Sequence, residues 1–364
     1  MQDFYRGKKV LITGHTGFKG SWLSKILIQM GADVVGYSLD PLTDPNLFSI
    51  IDLKKQMKSI IGDIRDLNHL KKVFNDEKPE IIFHLAAQPI VLDSYKNPVY
   101  TYETNVIGTV NLMECIRLNQ CVKSAVNITT DKVYQNNEWC WGYRENDRLC
   151  GFDPYSNSKS CSELVTYSYK HSFFKDRDIA ISTVRAGNVI GGGDFSPNRI
   201  IPDCIRAATI GKTIEVRNPN SIRPYQHVLE PLYCYMMIAK QQYIDKNFAG
   251  EYNIGPNDSD CITTGMLAAI FTEKWGEKSS WKAIDVNGPH EANFLKLDCS
   301  KLKQAFNWKP KWNVEEAIEK TVEWSKAYEN NENMNQVMNE QIKIFMIIKK
   351  NEQSKIIAKE KTYE

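Results

Sequence analysis

The 364 residues carry 42% hydrophobic and 25% charged side chains, and 46 Lys and Arg against 44 Asp and Glu leave a net charge of +2. A chain of that length and apolar content buries a sizeable core, enough for one large domain and a smaller one. Its near-neutral balance offers no electrostatic drive toward nucleic acid or a membrane surface, and neither is expected as a partner.

Residues 8–13 read as a buried strand bounded by Gly14. Residues 18–30 follow with helical spacing of Phe18, Trp22, Leu23, Ile26, Leu27 and Met30, and Gly31 is the stop signal. Further strands are expected at 34–39, 56–61 and 80–85, with a helix at 67–74 before the last of these. A long helix over 99–118, a strand over 124–129, a second long helix over 154–174 and a strand over 179–185 complete the pattern. Strands alternating with helices predict an α/β fold: a Rossmann-like, doubly wound parallel sheet with right-handed crossovers, filling a first domain at 1–186.

After about residue 186 the pattern changes. Gly191-Gly192-Gly193 and prolines at 197, 202, 219, 224, 231 and 256 break the chain into short pieces. This predicts a smaller C-terminal, substrate-binding lobe over 187–327, with some segments returning to the first domain. The tail, 328–364, is rich in Asn, Lys and Glu; it reads as an amphipathic helix over 336–350 or as a solvated, frayed end.

Nine cysteines are scattered with no CxxC pair. An odd count without such spacing argues against a disulfide framework or a zinc site, so no metal is expected and a reduced, cytoplasmic setting is. The start, MQDFYRGKKVLITG, lacks the apolar core of a signal peptide, and no stretch approaches the roughly 20 apolar residues that span a bilayer.

Gly14-His15-Thr16-Gly17-Phe18-Lys19-Gly20 lies between the first strand and the first helix. Glycines at 14, 17 and 20 suit a tight turn, a close approach of backbone to a pyrophosphate, and helix-on-strand packing. The helix N-terminus then offers free N–H groups to phosphate. Asp40 ends the second strand about 20 residues further on, where a carboxylate accepts hydrogen bonds from ribose hydroxyls and repels a 2′-phosphate. The pattern points to NAD, a choice that Ser38 or Lys19 can modify.

Tyr155 and Lys159 stand at i, i+4 on a predicted helix and share one face. A free tyrosine, with a pKa of about 10, is a poor base at neutral pH. A neighbouring ammonium favours the phenolate, which can take a proton from a hydroxyl while hydride leaves for a nicotinamide. Thr130-Asp131-Lys132 follow the fifth strand at the crevice end of the sheet. Thr130 can bond the same substrate oxygen as Tyr155. Asp131 and Lys132 add one acid and one base candidate, or form an N-cap and a solvated ion pair.

These residues resemble those of the extended short-chain dehydrogenase/reductases, the NAD-dependent epimerase/dehydratase family. The resemblance covers nearly all of 8–325 and rests on GHTGFKG at 14–20, GDIRD at 62–66, HLAAQ at 84–88, TNVIGT at 104–109, TTDKVY at 129–134, YSNSK at 155–159 and RAGNVIGGGDF at 185–195. Longer stretches, such as EWCWGYRENDRLCGFDPYS at 138–156 and RNPNSIRPYQHVLEPL at 217–232, are similar to the nucleotide-sugar 4,6-dehydratases of that family, and to those acting on a cytidine diphosphate sugar. Cys150 and Tyr225 depart from it, standing where glycine and tryptophan are usual.

The resemblance implies a retained NAD held by Gly14, Thr16, Gly17, Phe18, Lys19 and Asp40, with Asp63, Ile64, Leu85, Ala86, Ala87, Thr104, Tyr155 and Lys159. It implies C4 oxidation of a glucose unit with Tyr155, loss of water across C5 and C6, and return of the hydride to C6. Asp131 would be the general acid and Lys132 the C5 base, in a dry site or beside a cation that lowers its pKa. A nucleotide-diphospho-sugar also needs cations. Arg199, Arg217 and Arg223 near turn signals suit the phosphates, and Asn188 a phosphate or sugar oxygen, unless they are surface residues or caps. Gln88, His227 and Glu291 join the substrate set by resemblance. Helices near 99–118 and 155–174 imply a homodimer.

Overall fold

The computed structural model describes residues 1–276, 279–284 and 293–360, with side chains to Ile347. Six parallel strands build the first lobe: β1 (Lys9–Thr13), β2 (Asp33–Ser38), β3 (Lys58–Ile61), β4 (Ile81–His84), β5 (Ser124–Ile128) and β6 (Ala180–Ala186). Short strands β7 (Val189–Ile190), β8 (Ile214–Val216), β9 (Ile222–Pro224) and β10 (Gln226–His227) follow. Then β11 (Glu251–Ile254) returns to the edge of the main sheet.

The seven-stranded order is β11-β6-β5-β4-β1-β2-β3, with every pairing parallel. Strand order reverses between β1 and β4, so the crevice beyond their carboxyl ends is where such a fold takes a ligand. Side-chain alternation splits the core in two. Val10, Ile12, Ile81 and Phe83 face one apolar cluster, with Trp22, Leu23 and Ile26 of the helix Phe18–Gln29. Leu11, Val35 and Ile82 face the other, with Leu70 and Phe74 of Leu67–Glu77 and Leu112 and Ile116 of Gly108–Leu118.

The smaller lobe has its own cluster around Ile201, Val216, Leu267, Phe271 and Ile318. The helix Leu229–Ile244 joins the first lobe's core, as β11 joins its sheet.

Two elements differ from expectation. The helix expected over 99–118 begins at Pro98 and passes through a π-helical turn, Glu103–Ile107, before continuing as Gly108–Leu118. That turn aims the buried Asn105 at the loop after β4, where its side chain brackets the Gln88 backbone and donates to Ser158 Oγ at 2.9 Å. The tail helix is longer than 336–350, running Met334–Glu360. Met334, Met338, Ile342 and Phe345 recur at helical spacing and are buried in the main cluster. Asn335 accepts a hydrogen bond from Lys25 Nζ at 2.7 Å, tying this helix to Phe18–Gln29. Among the described residues no helix is long and apolar enough to cross a membrane.

Candidate active site

The glycine turn leaves β1 at Gly14, whose φ of +78° suits a residue without Cβ; an added Cβ would lie 2.7 Å from the Ala86 nitrogen. At Gly20 a Cβ would collide with the Gly14 carbonyl oxygen. Gly17 is the N-cap of Phe18–Gln29 and supplies no side-chain cap, so the first N–H groups of that helix face the crevice. Thr16 Oγ1 meets Ser38 Oγ and donates to the Leu39 carbonyl, both at 2.9 Å, fixing the turn against the end of β2. Asp40 stands exposed just beyond.

Across the crevice, the Asp63 carboxylate is held by Arg65 at 2.7 Å and the Ile64 carbonyl by Asn111 at 3.0 Å. Leu85, Ala86 and Ala87 follow β4, half-buried, and Thr104 is buried with no partner for its hydroxyl among the described residues. A bare helix N-terminus, an exposed carboxylate at the end of β2 and an orphaned hydroxyl form a trough that fits an extended dinucleotide.

The helix Pro154–Phe173 starts with proline at its first position and Asp153 as N-cap, accepting from Ser156 N at 2.9 Å. This start sets the register that stacks Tyr155, Lys159 and Glu163 a turn apart, all three buried. Beside them, Thr130 caps the short turn Asp131–Val133 after β5. Thr130 donates to Asp131 Oδ1 at 2.9 Å. Lys132 Nζ lies 3.2 Å from the same carboxylate oxygen.

The expected help from Lys159 to Tyr155 is not what the site shows. Burial pushes the Tyr155 phenol up to about 12, opposed by the Thr130 hydrogen bond and Arg199, and reinforced by Asp131 and Asp153. Lys159 donates instead to the Ile128 carbonyl at 3.2 Å. Burial, with repulsion from Lys19, lowers the Lys159 ammonium to about 7. The physical reason is that both groups are dry, and desolvation penalises each charged form. Lys132, by contrast, is not dry: its side chain is 32% exposed and ion-paired with Asp131.

A cavity of about 1120 Å³ opens between the lobes. Lys19, Thr130, Asp131, Lys132 and Tyr155 line it, together with Asn188, Arg199, Arg217 and Arg223. Lys19 thus faces the cavity as well as the glycine turn, and burial with the nearby Arg199 lowers its ammonium to about 8.

Two expected substrate residues lie elsewhere. Gln88 is buried in its own loop, donating to Thr101 Oγ1 and accepting from Ile90 N. His227 is fully buried between the Trp22 and Trp312 rings, with Nδ1 accepting from Leu229 N. Glu291 lies outside the described residues.

Sequence reading missed Asp194, which lines the cavity and meets Arg199 at 3.5 Å. It also missed Glu163, which accepts from Thr129 and Thr183 and pairs with Arg185. Its signal was available, four residues after Lys159 on the same face.

A parallel sheet of this order, with a glycine turn at the switch point and a buried Tyr155/Lys159 face, defines an extended short-chain dehydrogenase/reductase. The chain belongs to the family whose model is described as GDP-mannose 4,6 dehydratase, which matches residues 11–321. It is 48% identical over 339 residues to CDP-glucose 4,6-dehydratase of Salmonella typhimurium, covering 92% of this chain and 94% of that one. A dTDP-glucose 4,6-dehydratase of Shigella flexneri is 27% identical, over 88% of this chain and 94% of its own length. Among solved structures, dTDP-glucose 4,6-dehydratase from Bacillus anthracis in complex with NAD superposes with a TM-score of 0.74 at 23% identity, covering 91% of this chain and 100% of that chain. UDP-glucose 4-epimerase from Thermotoga maritima with UDP-glucose gives 0.74 at 23%, covering 88% and 99%.

Proposed function

We propose that this chain is an NAD-dependent hydro-lyase that converts CDP-D-glucose to CDP-4-keto-6-deoxy-D-glucose. The observation that carries the reading is the buried Asp131 carboxylate, which Thr130 bonds and which lines the same cavity as Tyr155. An oxidation alone needs Tyr155 but no acid; an elimination needs both. The 48% identity to the Salmonella typhimurium enzyme supports the choice of CDP-glucose.

Gly14, Gly17 and the N–H groups around Phe18 hold the dinucleotide's pyrophosphate, and Asp40 its adenosine ribose. Asp63, Ile64, Leu85 to Ala87, Thr104 and Lys159 would complete that cofactor site. A bound dinucleotide would supply the hydride chemistry at C4 and C6. Tyr155 removes the C4 hydroxyl proton while Thr130 orients that oxygen. Asp131 protonates the departing C6 hydroxyl and Lys132 takes the C5 proton. Arg199, Arg217 and Arg223 meet the diphosphate, with Asn188 on a neighbouring oxygen and Lys19 between substrate and cofactor.

The chain acts as a homodimer in a reducing cytoplasm. All nine cysteines are free thiols. Exposed Ile107, Leu164 and Tyr167 on the two long helices support pairing through that face.

The test is mass spectrometry of the product after incubation with CDP-glucose, and in parallel with dTDP-, UDP- and GDP-sugars, without added NAD. Loss of one water from CDP-glucose is expected. An unchanged mass with an altered sugar would mean epimerisation, and dehydration of a different nucleotide sugar would overturn the cytidine assignment.

A further inference from the structure

The short turn Asp131–Val133, capped by Thr130, carries the acid and base of the proposed elimination, while the helix Pro154–Phe173 carries Tyr155 and Lys159 of the oxidation. The residues on either side of that turn are both tied to one buried ion pair, Glu163 with Arg185. On the near side, Thr129 Oγ1 donates to Glu163 Oε1 at 2.5 Å, sharing its hydrogen with the Val184 carbonyl at 3.2 Å. On the far side, Arg185 Nη1 donates to Tyr134 Oη at 2.7 Å and to the Glu145 carbonyl at 2.8 Å. All four side chains are buried. Glu163 stands one helical turn beyond Lys159, on the face that also holds Tyr155. Neither Glu163 nor Arg185 lines the cavity, so the pair reaches a bound sugar only through other residues. The helix has anchors of its own: Asn105 Nδ2 donates to Ser158 Oγ, Ser162 Oγ meets Thr109 Oγ1, and Asn127 Nδ2 donates to Thr166 Oγ1, each at 2.9 Å. Within the turn, the Val133 carbonyl accepts from Ser160 Oγ at 2.7 Å. Loosening the two outer ties therefore leaves Tyr155 in place and lets Asp131 and Lys132 shift about Val133.

We propose that the Glu163–Arg185 pair is a positioning device that registers the Asp131–Lys132 turn against Tyr155, so that a sugar oxidised at C4 already lies within reach of the groups that remove water across C5 and C6. The proposal rests on the dehydratase reading. Proton transfer needs donor and acceptor at hydrogen-bond distance, and a displacement of about 1 Å costs up to about 100-fold in rate. The oxidation draws on Tyr155 and its helix. The elimination draws on the turn. A turn that has slipped relative to the helix stalls the sequence between the two steps, with the C4 ketone formed and the C6 hydroxyl still in place.

The test uses the whole protein with Thr129→Val, Tyr134→Phe, the two combined, Thr129→Ser and Arg185→Lys. The first three remove hydroxyls without stranding a charge. Arg185→Lys keeps the charge opposite Glu163 but loses the fork that also reaches Tyr134, and it lies outside the cavity. Protein in excess is mixed with CDP-glucose and NAD, the reaction is quenched at intervals, and mass spectrometry counts two sugars: the 4-keto sugar, lighter than the substrate by a pair of hydrogens, and the dehydrated sugar, lighter by one water. In the combined variant and in Arg185→Lys the ratio of dehydrated to merely oxidised sugar should fall by about tenfold or more, and in Thr129→Ser it should stay near that of the wild type. Taking the ratio within one variant cancels any loss of folded protein. Slower turnover at an unchanged ratio would overturn the positioning role and leave the pair as a structural brace. A fall confined to Thr129→Val and Tyr134→Phe would also overturn it, because those two line the cavity and would then act on the sugar directly. A wild-type protein that takes no water from CDP-glucose would overturn the dehydratase reading instead.

Discussion

The Glu163 carboxylate clasps the Arg185 guanidinium through two parallel hydrogen bonds, Nε to Oε1 and Nη2 to Oε2, each 3.0 Å long, and both side chains are 2% exposed. Arg185 continues to Tyr134 Oη at 2.7 Å, and Tyr134 donates to Asn253 Oδ1 at 2.7 Å. The pair therefore ties the Tyr155 helix to β6 and β11. Removing one partner strands a buried charge. Glu163→Ala is expected to lower the unfolding free energy by about 3–5 kcal/mol in urea titrations, and more than Arg185 and Glu163 replaced together. Simple additivity of the single changes would count against this pairing.

Burial pushes the Tyr155 phenol up to about 12, which makes it a reluctant base. Only the phenolate takes a proton, so below that value the reactive fraction rises about tenfold per pH unit. Single-turnover formation of reduced nicotinamide should rise with pH across the neutral range. Tyr155→Phe should lower that rate by about 100-fold or more while leaving CDP-glucose binding intact. A rate that falls with rising pH would contradict this role.

Glu230 is buried and accepts from Lys311 N at 2.7 Å and Trp312 N at 2.8 Å, yet Oε2 has no partner among the described residues. Burial pushes its carboxyl up from 4.5 to about 7. The native state thus keeps a proton that the unfolded chain has already released between those values. Stability from this group is fully present at low pH and is lost as pH rises toward 7. Glu230→Gln should raise the melting temperature at pH 8, by about 1–3 kcal/mol in free energy, and change little near pH 4. Thermal melts at the two pH values decide it.

Phe345 packs edge-on to Trp312 with centroids 5.0 Å apart, and Lys311 Nζ lies 4.3 Å from the Phe345 centroid. Phe345→Ala should cost about 3–5 kcal/mol through the cavity it leaves. A surface-sized loss, below about 0.5 kcal/mol, would mean that this helix does not belong to the core.

The dinucleotide side of the site was legible because its constraints are local. Gly14 answers to the positive φ of the turn and Gly20 to backbone approach within it, and Tyr155 and Lys159 to one helical period. What escaped depended on distant packing. His227 sits where a polar ligand-binding residue was expected, but Trp22 and Trp312, far apart in the chain, enclose it. The apolar stripe from Met334 to Phe345 was diluted by Asn and Lys, and its partner surface on the first lobe has no mark in that stretch. The Tyr155 shift took the opposite sign because i, i+4 spacing reports neighbours and says nothing of lost water. The π-helical turn at Glu103–Ile107 follows from no residue type that we can name.

Lys25 belongs to the helix that presents its N-terminus to the phosphates, and its ammonium is fastened to Asn335. The cradle formed by residues 14–29 is therefore braced by a segment made more than three hundred residues later. During synthesis the glycine turn leaves the ribosome first, and this support follows only some three hundred residues later. The nascent chain carries an unbraced dinucleotide cleft, and its core stays open on that face until Met334, Met338 and Phe345 close it.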